Sequence, residues 1–329
     1  MKIFMTGATG FVGKRVAARL ASAGHEVRAL VRPSSAHPVL PPGVTAVPGD
    51  VRDAASLQRG AAGCEAIIHG AALVKMWVRD RSQFEAINVG GLRNILGAAR
   101  AASVGRLLYI SSFIALGPTD GKVGDESWTH AATGHHNDYE RTKAAADAVA
   151  RQAASEGLPI IIVYPGVVYG AGEDTDGSLM TRTIGDFMHR RVPGYLGSGR
   201  QRICYAFLDD VVEGHLLALE RGRPGARYIL GGENADYLRL FALLAEITGQ
   251  PAPTRHLPFW AMKLAGRLMV WRAALTGIEP IITHEVIRIY EHDWAYSSEL
   301  ARSELGYRIT PLEEGLRRTV DWLRRQPAA

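Results

Sequence analysis

The sequence predicts an α/β protein built on a doubly wound parallel sheet, with a smaller, partly discontinuous mixed α/β unit attached. Three observations carry this. Short apolar runs alternate with longer, Ala-rich helical stretches through the first half of the chain. The runs are continuous Ile/Val segments without polar alternation, which marks strands buried on both faces and hence a parallel sheet covered by helices. A glycine-rich turn, Thr6-Gly7-Ala8-Thr9-Gly10-Phe11-Val12-Gly13, sits at the first strand–helix junction. Crossovers between parallel strands are right-handed, and repeating them winds the sheet doubly.

In chain order, 2–5 reads as a strand, 11–22 as a helix, and 26–31 and 44–47 as the next two strands. Residues 53–61 form a helix, 66–69 a strand, 81–102 a helix, 106–110 a strand, 137–155 a helix and 160–164 a strand. After Pro165 the pattern changes. Turn-rich stretches cover 170–177 and 193–199, helices are expected at 207–220, 238–248 and around 260–275, and 228–230 is strand-like. The expected division is 1–169 for dinucleotide binding and 170–329 mainly for substrate. About 203–230 should return to the main sheet.

Bulk composition narrows the function classes. With 47% hydrophobic and 22% charged residues over 329 positions, the chain can bury a large core and disorder is not expected. The net charge of +5 is spread over scattered positions, almost all Arg, with no Lys/Arg run. A solvated basic surface is therefore expected and nucleic acid is not. Cys64 and Cys204 lie far apart and form no CxxC, so no metal site or disulfide framework is expected. Lys2-Ile3-Phe4-Met5 enters a strand at once, which leaves no room for a signal peptide. No uncharged apolar run reaches the ~18 residues of a membrane span. The expected setting is the cytoplasm and the expected partner a small-molecule substrate, with a homodimer as the assembly to test.

The glycine turn points to a dinucleotide. Gly7 permits the tight turn, Gly10 lets backbone approach a pyrophosphate, and Gly13 lets the helix pack on the strand. The helix start then offers unpaired N–H groups and a positive dipole end to the anion. A P-loop is excluded, because Gly13-Lys14 is followed by Arg15. Dinucleotide sites that take NAD place an acid at the end of the second strand for the ribose hydroxyls. Here no carboxylate occurs between Glu26 and Asp50, and Arg32 falls where a cation would pair with a 2′-phosphate. NADP(H) is the expected cofactor, with NAD(H) as the alternative. Asp50 is placed for the adenine amino group, or to cap the helix opening near Asp53. Thr9, Phe11, Val12, Val51, Ala71, Ala72, Tyr164, Pro165, Gly166 and Val168 complete the expected cofactor contacts.

The candidate chemistry lies on one later helix. Tyr139-Glu140-Arg141-Thr142-Lys143 sets a phenol and an ammonium one turn apart on one face. A phenol with a pKa of about 10 exchanges protons poorly at neutral pH unless a fixed cation stabilises its anion. Ser111 and Ser112 follow the strand 106–110, at the carboxyl end where such sheets bind ligands. A hydroxyl there can hydrogen-bond a substrate carbonyl and stabilise charge growing on its oxygen, or either serine can cap the strand end, a role expected of Ser111. No GxSxG surrounds either serine, so nucleophilic hydrolysis is disfavoured.

TGATGFVG (6–13), Ser111-Ser112, YERTK (139–143) and YPGVVYG (164–170), in this order, resemble the extended short-chain dehydrogenase/reductase (NAD-dependent epimerase/dehydratase) family over nearly the whole chain. Phe207-Leu208-Asp209-Asp210-Val211, followed by a helix, is similar to the family's return to the main domain. Within the family the resemblance is to the dihydroflavonol-4-reductase-like branch. The segments 163–170, 208–223 and Trp294-Ala295-Tyr296-Ser297-Ser298 are similar to plant farnesol-dehydrogenase-like members. The resemblance implies Tyr139 as acid/base, Lys143 as pKa modulator and ribose contact, and Ser112 as carbonyl contact. It implies Gly7, Gly10 and Gly13 at the pyrophosphate, Asp50 near adenine, and a structural role for Asn88.

For the substrate, Lys75 and Trp77 in Leu73-Val74-Lys75-Met76-Trp77 lie where a loop would overhang the site. Trp260, Met262, Leu268, Met269, Val270 and Trp271 add an apolar cluster, expected to line a pocket for a hydrophobic alcohol or ketone. Arg190, Arg191, Arg200 and Arg202 keep open a nucleotide-sugar epimerase or dehydratase, which would bind a diphosphate.

Overall fold

A computed structural model describes residues 1–33, 39–75, 77–130, 134–173 and 175–326. The chain runs β1 (Lys2–Thr6), α1 (Phe11–Ser22), β2 (Glu26–Val31), β3 (Val44–Pro48), α2 (Ala54–Ala61) and β4 (Ala66–His69). Then come α3 (Ser82–Phe84), a π-helical turn at Glu85–Gly90, α4 (Gly91–Ala102), β5 (Arg106–Ile110), a 3-10 turn at Phe113–Leu116, α5 (Asp138–Ser155) and β6 (Ile160–Pro165). The remainder is β7 (Val167–Tyr169), α6 (Leu179–Met188), β8 (Tyr195–Leu196), β9 (Ile203–Phe207), α7 (Leu208–Arg221) and β10 (Arg227–Leu230). It ends with β11 (Glu233–Ala235), α8 (Tyr237–Thr248), β12 (His256–Leu257), α9 (Phe259–Thr276), α10 (His284–Ile289) and α11 (Leu312–Arg324).

Seven strands form one parallel sheet in the order β10-β6-β5-β4-β1-β2-β3. The apolar strands are buried on both faces, as their unbroken Ile/Val runs require: all four residues of β4 and all six of β6 are buried. One face packs on α2, α4 and α5 through Leu57, Leu92, Ile95, Leu96, Ala146 and Ala150. The other packs on α1 and α7 through Val16, Leu20, Val212 and Leu216. The chain steps outward from β1 to β3 and then returns to the opposite side of β1 as β4. The order reverses between β1 and β4, and such a switch point opens a ligand crevice at the strands' carboxyl ends.

The second unit hangs from the first. Only Gly166 separates β6 from β7, and β7 pairs with β9, which pairs with β11, giving a mixed three-stranded sheet. Its core, including Ile184, Phe187, Phe241, Leu244 and Leu316, lies under α6, α8 and α11. The chain does not visit the units once each. After β9 it goes back to lay α7 on the main sheet and to add β10 at its edge, leaves for β11 and α8, and later returns Ala301, Leu305 and Tyr307 to the main core. Phe207 thus ends β9 in the smaller sheet, while α7 and β10 belong to the large one.

One predicted helix is altered. The stretch expected as a single helix over 81–102 contains the π-helical turn, because the Asn88 side chain is engaged outside the helix. Its Oδ1 accepts from Leu73 N at 2.7 Å, and its Nδ2 donates to Leu73 O and to Thr142 Oγ1 at 3.3 and 3.0 Å. An extra residue in the turn brings that amide to the loop after β4, and Asn88 ties the loop to α5.

Candidate active site

The switch-point crevice is lined by the two turns that meet there. Gly7 has φ +80°, and a Cβ on it would come within 2.5 Å of the Gly70 carbonyl carbon after β4. At Gly13 a Cβ would fall 2.0 Å from the Gly7 oxygen. Gly7 and Gly13 are therefore demanded by packing. Gly10 differs: a Cβ there would meet only the Gly7 oxygen, at 3.4 Å, so the protein itself does not require glycine at this position. Gly10 also starts α1 with no side-chain cap and no acidic residue in the first turn, whereas Asp53, Asn137, Asp236 and Thr283 cap α2, α5, α8 and α10. The N–H groups left free at Phe11, Val12 and Gly13, beside a glycine that leaves room for backbone approach, fit a pyrophosphate. We expect Gly10→Ala to fold with near-native stability yet to lose dinucleotide affinity, and Gly13→Ala to lose stability as well. Thermal melts with dinucleotide titration separate the two, and equal losses from both variants would contradict this reading.

Around the crevice the expected residues divide. Thr9 is exposed, and Phe11 turns its ring under the loop after β7, where a Cβ on Gly172 would strike it at 2.5 Å, so only their backbone is available. Ala71 N donates to Thr6 Oγ1 at 3.2 Å, and Ala72 is half-buried beside it. Val51 is buried and its carbonyl accepts from Asn94. Arg32 is exposed at the end of β2 and has no ion pair among the described residues. Asp50 is gripped by Arg52 at 2.9 and 2.7 Å, which lowers its pKa, and Arg32 adds to that pull from farther away. Asp50 is not a helix cap: Asp53 accepts from Ala55 N and does that work.

Tyr139, Lys143 and Ser112 converge at the ends of β5 and α5. Asn137 caps α5 by accepting from Glu140 N at 2.8 Å, which fixes where the helix begins and so which way positions 139 and 143 face. Burial pushes the Tyr139 phenol up to about 12, and the Ser112 hydroxyl beside it pulls the other way. Ser112 also caps the 3-10 turn, accepting from Ile114 N at 3.4 Å, whereas the buried Ser111 hydroxyl has no partner. Ser112 thus caps the 3-10 turn as well as standing beside Tyr139, while the capping expected of Ser111 is not made by its hydroxyl. Lys143 is 4% exposed and its ammonium points at the carbonyls of Ile110 and Ser111, at 3.4 and 3.5 Å. These contacts are long and weak. Desolvation brings its pKa down to about 8 despite the Asp147 carboxylate one turn on.

Two further residues, Asp147 and His69, stand beside Lys143 outside the motifs named above. Asp147 accepts from Tyr164 Oη at 2.6 Å and Arg151 Nε at 2.8 Å, and its buried charge works to keep Lys143 protonated. The spacing Lys-x-x-x-Asp, one turn beyond Tyr-x-x-x-Lys, is the mark that identifies it. The same bond removes Tyr164 from the expected cofactor contacts, leaving only its backbone, because its ring is fully buried. His69 is also fully buried, bonded through Nδ1 to Thr6 Oγ1 at 2.8 Å, and pushed down to about 3 by desolvation, with the Lys143 charge adding to the fall. It therefore brings no second cation to Lys143. Pro165 is buried in β6, Val168 is half-buried, and Gly166 is explained by packing, since a Cβ would lie 2.6 Å from Cys204 O.

Tyr139 opens onto a cavity shared with Lys75, Trp77, Val78, Phe84 and Val270. Met76 lies outside the described residues. Of the apolar cluster expected to line a pocket, only Val270 does so. Trp260, Leu268 and Trp271 face solvent, because α9 presents Gly266 and Ala273 to the protein. The cations at this cavity are already paired: Lys75 with Glu279, and Arg81 with Asp138 and Glu285. Arg190 bonds Gln250 and Arg202 pairs with Asp293, while Arg191 and Arg200 are exposed. None of these four arginines lines the cavity. Cys64 and Cys204 are free thiols, both buried, and no metal-holding cluster occurs among the described residues.

Comparison with known proteins finds a family model, relatives and solved structures that this chain is similar to. The family model described as NAD dependent epimerase/dehydratase family matches residues 3–231. A Synechocystis sp. protein carrying the provisional name dihydroflavonol 4-reductase is 33% identical, over 97% of this chain and 93% of its own. Sterol demethylase protein B of Methylococcus capsulatus is 32% identical over 98% of both. The crystal structure of gox2253 superimposes with a TM-score of 0.81 at 33% identity, over 98% of each chain.

Proposed function

The chain belongs to the NAD-dependent epimerase/dehydratase family of extended short-chain dehydrogenases/reductases, and from that membership we propose that it interconverts a carbonyl and an alcohol on a small hydrophobic molecule, using NADP(H) or, as the alternative, NAD(H). When bound, the nicotinamide supplies or accepts the hydride. Tyr139 exchanges a proton at Oη with the substrate oxygen, and Ser112 Oγ donates to that oxygen as charge grows on it. Lys143, loosely held at two carbonyls, has its ammonium available for the ribose hydroxyls. Gly7, Gly10, Gly13 and the uncapped start of α1 hold the pyrophosphate.

The observation that carries this reading is the position of Tyr139, beside the Ser112 hydroxyl and open to a cavity lined partly by Trp77, Val78, Phe84 and Val270 and partly by polar residues, among them Asn137, Thr283 and the paired Lys75 and Arg81. The apolar part of this wall suits the body of an apolar ketone with its carbonyl turned to Tyr139. Relatives named for a dihydroflavonol and a sterol accord with substrates of that class. The test is NADPH oxidation over a panel of apolar ketones. Steady turnover supports the reading; tightly held, non-exchanging NAD with no net cofactor change would replace it with a nucleotide-sugar epimerase or dehydratase. The pairing of Lys75 and Arg81 with carboxylates weighs against that second reading, since a diphosphate needs free cations there.

NADP(H) is favoured because Arg32 stands exposed, with no ion pair among the described residues, while the nearby acid, Asp50, is occupied by Arg52. A charge-assisted contact to a 2′-phosphate is worth roughly 1.5–3 kcal/mol. Arg32→Ala should therefore weaken NADPH binding by about 10–100-fold and leave NADH nearly unchanged. Titration by cofactor fluorescence measures both, and an unaltered NADPH affinity would remove Arg32 from the site.

A further inference from the structure

Helix α9 carries five large apolar side chains that nothing covers. Trp260, Leu264, Leu268, Trp271 and Leu275 are 71%, 52%, 60%, 65% and 68% exposed. At ~100° per residue they fall within one arc about 80° wide. Ile278 and Ile281, just past the helix, are 58% and 85% exposed and follow the stripe in sequence. The opposite side is small and fixed in place. Gly266 and Ala273 are the buried residues, and a Cβ on Gly266 would come within 2.5 Å of His284 N, so α9 is pressed on α10 and cannot roll its large residues inward. Single exposed leucines need no explanation, whereas a continuous stripe marks an interaction surface.

Charge selects what covers it. The helix has Lys263, Arg267 and Arg272 and no acidic residue. Lys263 is paired with Glu291 at 2.7 Å, and Glu279, next to Ile278, is paired with Lys75 at 3.4 Å. Arg267 and Arg272 are exposed, have no ion pair among the described residues, and project on either side of the apolar arc. A symmetric contact between two copies would crowd these arginines together with no carboxylate in the stripe to meet them. An anionic lipid surface suits both halves of the pattern. Indole and leucine side chains enter the acyl boundary, and the guanidinium groups reach back to phosphate.

We propose that α9 docks the protein on the surface of an anionic lipid bilayer, lying flat in the interface. No helix among the described residues is long and apolar enough to cross one. Val270, on the same helix, lines the Tyr139 cavity, so the docked helix is also a wall of the candidate site.

Flotation of the full chain with phosphatidylcholine/phosphatidylglycerol vesicles, and with phosphatidylcholine vesicles alone, tests this without any assay of turnover. The protein should float with the anionic vesicles and be released by salt. Trp260→Ser/Leu268→Ser/Trp271→Ser should lower vesicle affinity more than about 100-fold, and Arg267→Gln/Arg272→Gln about 30-fold on the anionic vesicles only. The substituted side chains are exposed, so unfolding curves should be unchanged, which separates lost docking from lost folding. No flotation of the unmodified chain, or undiminished flotation of the serine variant, overturns the proposal. A serine variant that sediments as a monomer where the unmodified chain is a dimer overturns it too, because a second copy then covers the stripe.

Discussion

Tyr139→Phe is expected to lower kcat by about 10²–10⁴-fold, the range that a positioned proton donor contributes, with cofactor affinity little changed. The substitution is a narrow one. It keeps the ring that packs in the cavity with Trp77 and Val270 and removes only the oxygen, to which no hydrogen bond within the described residues is anchored beyond its approach to Ser112. Burial holds the phenol up at about 12, so in the proposed reaction it would start protonated, as an acid for the substrate oxygen. Steady-state kinetics with NADPH and an apolar ketone, paired with cofactor titration, measure the effect. A variant within about threefold of normal turnover would remove Tyr139 from the chemistry, since the smallest effect expected of such a group is far larger.

Lys143→Met should also remove most turnover, but it should raise stability. The ammonium is buried against two long carbonyl contacts, and desolvation lowers its pKa from 10.5 to about 8. At about 1.4 kcal/mol per unit, the folded state carries a cost of about 3–4 kcal/mol for keeping it charged. Because the folded pKa lies below the unfolded one, the unfolded chain binds the proton more tightly. The cost is therefore full below pH 8 and fades as pH rises from about 8 toward 10.5. Stability of the unmodified protein should climb through that window, and Lys143→Met, similar in volume and uncharged, should start higher and lack the climb. Asp147 keeps Tyr164 and Arg151 as partners in the variant. Urea melts at neutral and alkaline pH measure both features. A variant less stable than the parent at pH 7 would show that the ammonium is better solvated than its surroundings imply.

The two predictions rest on a motif that was legible because it is local. The turn 6–13, Tyr139 and Lys143 are each fixed by spacing within one turn of chain, and the buried strands are fixed by unbroken apolar runs. What was hidden depended on contacts between distant segments. The π-helical turn exists because Asn88 reaches Leu73 and Thr142, neither adjacent in sequence. Asp147 gains its meaning from Tyr164 on another element. Helix α9 inverts the usual pattern, setting Gly266 and Ala273 inward and its tryptophans outward, so Trp260, Leu268 and Trp271, read as pocket lining, face solvent instead. By contrast α11 was readable and passed over. Leu312, Leu316 and Val320 fall at every fourth position and are buried, with Glu313–Arg317 and Glu314–Arg318 pairs on the outer face.

The repeated traffic of the chain between its two sheets bears on how such a protein can be cut or recombined. A piece ending after β7 would lack α7, leaving Val16 and Leu20 of α1 bare, and would lack β10, leaving β6 as an open edge inviting association with other chains. The complementary piece would carry α7 and β10 with no sheet to receive them. Neither half is a portable module, so new specificities must come from altering the segments around the cavity in place, not from exchanging one half for another.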